Sequence, residues 1–350
     1  MERRNIGNES RTQTAPKGPE RIHYFDTLRF LAAMMIFITH YINRYSPDTF
    51  YWFFNTPTSI FLGWISGKLG VAMLCVILGY FAYRKGLRSS ENLGKMFFQR
   101  YFHFVITAAV FYLIAGAVHY QIFGSGFDAL RTIAVEAFTL SYNHNVNFWC
   151  LRPLLFGSGV CYILGRTRAK TMEIVFVTVF LSVFMDIWTA GCVAGALIFL
   201  WNQNEKVTKT LESRIVRIVI FVIVFALVHQ KGNEGFWIFA LEILFCFCTL
   251  LIVMNSPGLL KVLNMKGWQP VSKHYFGIFI FHTMVYEMLG SWLLESVLGS
   301  MPFKIRFILV FLVCFAVTIL ISIPVNAIIV QCDRGIKKIL GRVLKNEAEV

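Results

Sequence analysis

A chain of 350 residues that is 57% hydrophobic and only 15% charged, with apolar runs recurring to its end, is not a soluble globular domain and reads as a polytopic membrane protein. Its formal charge of +14 does not point to nucleic acid, because the basic residues sit in short clusters between apolar runs and form no basic face with interleaved aromatics. The eight cysteines lie in or beside apolar segments without C-x-x-C pairing, so they read as small core side chains rather than metal or redox ligands.

Residues 1–22 are polar, contain Pro and Gly, and lack the apolar stretch of a signal peptide, so they read as a disordered cytoplasmic tail. Ten segments of spanning character follow, near 25–43, 61–83, 99–121, 147–165, 171–188, 189–201, 215–230, 235–254, 273–290 and 304–330. The expected fold is therefore all-α, a polytopic transmembrane helix bundle of about ten spans. The fifth and sixth segments meet in "DIWTAGCVAGALIFLW" with almost no loop, which leaves a re-entrant hairpin as the alternative to two crossings. "GSGFD" reads as a turn and "LFGSGV" as a helix-packing patch. Alternate connections carry 24 Lys and Arg on one side against four on the other, which places both termini in the cytoplasm and makes 334–350 a basic cytoplasmic tail. No internal repeat of the transporter kind stands out, and no soluble domain is expected at either end of residues 23–333.

The first span, "FDTLRFLAAMMIFITHY", carries Arg29 and His40. Eleven residues turn an α-helix about 20° past three full turns, so the two side chains share one face about 16 Å apart along the axis. Arg29 alone can snorkel to the headgroups, and His40 alone can be a buried, hydrogen-bonded histidine. Together on one face they suit a site entered from the cytoplasm by an anionic group, with a base deeper in the membrane. His282, midway along the ninth span, is a second candidate for binding or proton relay; its structural alternative is a hydrogen bond between helices.

The R-x10-H spacing of Arg29 and His40 resembles the integral-membrane acyltransferase-3 family, which includes sugar and polysaccharide O-acyltransferases. "GVAMLCVILGYFAYRKG" (70–86) resembles that family's second-helix run, with Leu78 where the family has a serine. "SKHYFGIFIFH" (272–282) resembles its ninth-helix motif ending on a histidine. "QRYFHF" (99–104) supplies Arg100 but has His103 in place of the second arginine of the family's R-x-x-R pair. "NFWCLRPLLF" (147–156) resembles its W-x-L segment without the glutamate that often follows.

The resemblance implies a transmembrane acyltransferase domain over 23–333 in the plasma or inner membrane. It implies no bound cofactor, with acetyl-CoA or another acyl-CoA such as succinyl-CoA as donor substrate. The acceptor it implies is a hydroxyl of a cell-envelope glycan or its lipid-linked precursor. Membrane lipid, acyl-CoA and that glycan are the expected partners, and nucleic acid is not. Catalytic roles fall to His40, Arg29 and His282. The donor phosphates fall to Arg100 and His103, with Arg84 and Lys85 of the same basic loop, although any cytoplasmic loop carries such charges. Arg152, Asp186, Glu242 and Glu287 lie toward the outer ends of their spans and are expected to line an acceptor cavity, mutual salt bridging being the alternative. No zinc-ligand spacing and no Ser-His-Asp order appears, so no metal is expected. A polysaccharide transporter or flippase, and an acyltransferase acting on a non-glycan small molecule, are the rival readings; oligomeric state is not legible.

Overall fold

The computed structural model describes residues 22–45, 66–89, 91–118, 126–141, 143, 146–228 and 236–346. All regular structure among these residues is helical. The first helices are α1 (His23–Tyr45), α2 (Gly67–Arg88), α3 (Leu93–Val118) and α4 (Gly126–Thr139). A 3-10 turn, Val146–Cys150, leads into α5 (Leu151–Arg166), and α6 (Thr171–Phe184) and α7 (Ile187–Trp201) form a hairpin. Next come α8 (Glu205–Glu212), α9 (Arg214–Val228), α10 (Phe236–Met254), α11 (Pro257–Leu263) and the single turn α12 (Gln269–Ser272). Last are α13 (Tyr275–Val285), prolonged by π-helical turns at Tyr286–Gly290 and Leu293–Val297, and α14 (Phe303–Asn346).

Among the described residues, seven of the expected spans are helices long and apolar enough to cross a bilayer. They close their backbone hydrogen bonds within the segment, as a lipid surround demands. Three are shorter. α6 and α7 have 14 and 15 residues, and α9 has 15 up to Val228, where the described residues stop; 14–15 residues make about 21–23 Å of helix against about 30 Å of hydrocarbon. The chain is thus an all-α, multi-pass membrane bundle. Two elements depart from the expected boundaries. α3 begins at Leu93 rather than 99, so Arg100 lies two turns inside a helix instead of opening one. Gly126 and Asp128 of "GSGFD", read as a turn, lie in the first turn of α4, a 14-residue helix.

The α6–α7 hairpin turns at Met185 and Asp186, where the Asp186 carboxylate accepts from the backbone N–H of Trp188 and Thr189, each at 2.9 Å. This is an N-cap that satisfies two of the orphan donors of α7. α7 is buried along most of its length, with α2, α5, α6 and α10 around it. Close approach is made possible by glycine: a Cβ on Gly79 of α2 would strike the carbonyl of Cys192, and one on Gly195 of α7 would strike the carbonyl of Val76. With no hydrophobic drive between helices in lipid, such backbone contact is what holds the crossing.

Candidate active site

At the end of the bundle that carries Lys85, Arg88, Arg166 and Lys206, a cleft of about 680 Å³ opens between α1, α2, α3, α5, α13 and α14. Its polar lining is Arg29, Arg100, His103, Lys273, His274 and Asn326, set among apolar walls that include Leu74, Leu78, Phe279 and Ile323. The volume falls in the range of small-molecule sites.

Arg29 does not snorkel out of the bundle. Its Nη1 donates to Asp26 Oδ1 at 3.1 Å, and its guanidinium carbon lies 4.8 Å from the ring centre of Phe81 and 5.6 Å from that of Tyr275. The ion pair one turn back and the two rings hold the planar fork at the cleft wall. Arg100 is half-buried and has no ion pair or hydrogen bond among the described residues, so its donors stay open to a ligand. His103 is engaged otherwise, with Nδ1 2.8 Å from Asp333 Oδ2 of α14 and its ring stacked on Phe276. Asn326 Nδ2 donates to His274 Nδ1 at 3.0 Å. An amide N–H can only donate, so His274 Nδ1 accepts and the ring carries its proton on Nε2.

Deeper in the bundle, His40 Nδ1 lies 2.8 Å from His282 Nε2. His282 is fully buried, and its Nδ1 is 3.1 Å from the carbonyl oxygen of Ile278. A carbonyl can only accept, so His282 Nδ1 carries a proton. In the neutral pair His282 Nε2 then accepts from His40 Nδ1–H, and the lone pair of His40 is left on Nε2. Phe279, a wall of the cleft, precedes His282 by three residues, so the cleft ends about one helical turn short of the pair.

Asn147, invisible as a candidate in the sequence, stands next to this pair. It is 1% exposed and its Nδ2 donates at 3.0 Å to Oγ1 of Thr283, the residue after His282. The turn before α5 is thereby tied to α13. Lys273, His274 and Asn326 are further lining groups that no local pattern singled out.

Other expected site residues stand apart. Arg84 and Lys85 do not line the cleft, and Lys85 is paired with Glu91 at 2.7 Å. No two of Arg152, Asp186, Glu242 and Glu287 are hydrogen-bonded or ion-paired with one another among the described residues. Asp186 caps α7, and exposed Arg152 donates from Nη2 to the carbonyl of Thr139 at 3.0 Å, tying α5 to α4. Glu287 is exposed. Glu242 is 4% exposed, with Oε1 accepting from Ser66 Oγ at 3.3 Å and Oε2 unpaired among the described residues.

A family model described as an acyltransferase domain matches residues 22–327. No curated protein and no solved structure matches the chain.

Proposed function

The chain belongs to the acyltransferase-3 family, and from that premise we propose that it moves an acyl group from cytoplasmic acyl-CoA to a hydroxyl of a cell-envelope glycan or its lipid-linked precursor. Acetyl is the first choice of acyl group and succinyl the second. The membrane is the plasma or inner membrane, and the basic end of the bundle faces the cytoplasm.

The observation that carries this reading is the alignment, along one face of α1, of a cationic, apolar-walled cleft with a histidine pair just beyond its inner end. An acyl-CoA has this shape, with phosphates at one end, a long uncharged arm and a reactive thioester at the other. The pantetheine arm runs about thirteen bonds from sulfur to the first phosphorus; at about 1.1–1.2 Å per bond for an extended chain it spans roughly 15 Å. The rise from Arg29 to His40 is about 16 Å. Phosphates held at Arg29 and Arg100 by charge-assisted hydrogen bonds thus leave the thioester beside His40.

The acceptor hydroxyl gives its proton to Nε2 of His40 as its oxygen forms a bond to the thioester carbonyl carbon. The carbon–sulfur bond breaks, and the departing thiolate takes that proton back from His40. The products are an ester and free coenzyme A, with no net proton released. His282, accepting from His40 Nδ1–H, holds the required tautomer and supports the transient imidazolium. On the outer side, Glu242 is the group we assign to the acceptor, because a buried carboxylate oxygen without a partner is costly unless a hydroxyl donates to it. Arg152 and Asp186 act in helix joining.

Thiol release from acetyl-CoA and succinyl-CoA by the purified protein in detergent, with envelope glycan present, tests the reading. His40→Ala is expected to lose at least about a hundredfold in kcat while keeping its thermal midpoint. Wild-type turnover by that variant would overturn the assignment.

A further inference from the structure

Two of the basic groups around the cleft are matched by carboxylates, Arg29 by Asp26 and His103 by Asp333. Arg100, Lys273 and His274 are not so matched among the described residues. They occupy two places. Arg100 lies two turns inside α3, whereas Lys273 and His274 form the corner between α12 and α13. Two anion-receiving points suit a ligand with two anionic groups, and in the acyl-CoA reading the first point, Arg29 with Arg100, takes the pyrophosphate.

From the remaining pair we infer that Lys273 and His274 form a subsite for the 3′-phosphate of the donor nucleotide, with Asn326 as positioning residue; the inference rests on the acyl-CoA reading. His274 is 8% exposed and lines the cleft, and its Nδ1 accepts from the Asn326 amide, so Nε2–H is the donor it offers. Lys273 is exposed beside it, an ammonium with no carboxylate partner among the described residues. Neither group offers an acceptor at this point. An anion rich in oxygens suits such a pair, and an uncharged ribose hydroxyl does not.

Acetyl-CoA and 3′-dephospho-acetyl-CoA differ only in that phosphate, so the ratio of their kcat/KM values reads the subsite directly. Wild-type protein should prefer acetyl-CoA by about tenfold or more, as one or two charge-assisted hydrogen bonds give. Lys273→Gln and His274→Gln should each bring the ratio toward one, and Asn326→Leu should do so in part through the freed ring. Arg100→Ala should slow both donors and leave the ratio as it was. In the same way, adenosine 3′,5′-bisphosphate should inhibit wild type more strongly than adenosine 5′-monophosphate, and Lys273→Gln should erase the difference. A wild-type ratio near one, or a ratio unmoved by both Lys273→Gln and His274→Gln, overturns the subsite. Should wild type release thiol from neither donor, the acyl-CoA reading itself has failed.

Discussion

His40 and His282 stand 242 positions apart in the chain, yet two hydrogen bonds, one between them and one to the Ile278 carbonyl, fix the protonation pattern of both. The order runs from the Ile278 carbonyl outward: it demands a proton on His282 Nδ1, which leaves Nε2 to accept from His40, which leaves His40 Nε2 as the free base. His282 is thus a positioning residue with a readout of its own. His282→Gln keeps an oxygen able to accept from His40 Nδ1–H, so it should retain more kcat than His282→Leu, with the KM for acyl-CoA unchanged in both. Equal losses in the two variants would mean that the imidazole itself, not its acceptor nitrogen, is required. The sequence made Arg29 and His40 legible as a pair because both lie on one helix and a fixed rise and rotation relate them. It could not relate His274 to Asn326 or Asn147 to Thr283, which are 52 and 136 positions apart, since nothing local encodes which faces of two helices meet. In a basic loop, charges that set topology and charges that bind a ligand look alike; of Arg84, Lys85 and Arg100, it is Arg100 that lines the cleft.

At the scale of elements, α1 carries the site by its phase. Inserting one alanine between Met34 and Met35 rotates His40 by about 100° relative to Arg29 and shifts it by about 1.5 Å. The protein should still insert into the membrane but should no longer turn over acyl-CoA, although both residues are intact; wild-type turnover would show that the shared face has no role. α7 is held by a different feature. Because Gly195 meets the backbone of Val76, Gly195→Val must push two helices apart, and it is expected to lower stability by about 1–3 kcal/mol or more, seen as a lower thermal midpoint in detergent. Long apolar elements were legible in the sequence from length alone. α4 was not, because its 14 residues mix Asp128, Arg131 and Glu136 with apolar positions and follow a glycine-rich stretch that suggests a turn. α3 starts earlier than hydropathy suggests for a related reason: Lys95 and Arg100 depress the apolar signal of its first turns without breaking the helix.

For the whole molecule, the proposed reaction requires one orientation, because the cleft must open to the compartment that holds acyl-CoA. α14 supplies a marker for it. Cys332 lies 29 residues beyond Phe303 in a continuous helix that carries Pro324, a path of about 43 Å of helix against about 30 Å of hydrocarbon. It is therefore expected to stand clear of the lipid at the basic end, one residue before the Asp333 carboxylate that meets His103 at the cleft. Cys332 is exposed, while every other cysteine among the described residues is buried or half-buried. A membrane-impermeant maleimide is thus expected to label the protein at this one position, and Cys332→Ser to abolish the labelling. The charge asymmetry of the chain predicts the side: inside-out vesicles should be labelled at once and sealed right-side-out vesicles only after permeabilisation. Labelling of sealed right-side-out vesicles would put the cleft on the wrong face of the membrane and remove cytoplasmic acyl-CoA as its ligand. Adding acetyl-CoA before the reagent links the two questions, because a donor seated between α3 and α14 beside the His103–Asp333 pair should slow modification of the neighbouring thiol in wild type and much less in Arg100→Ala.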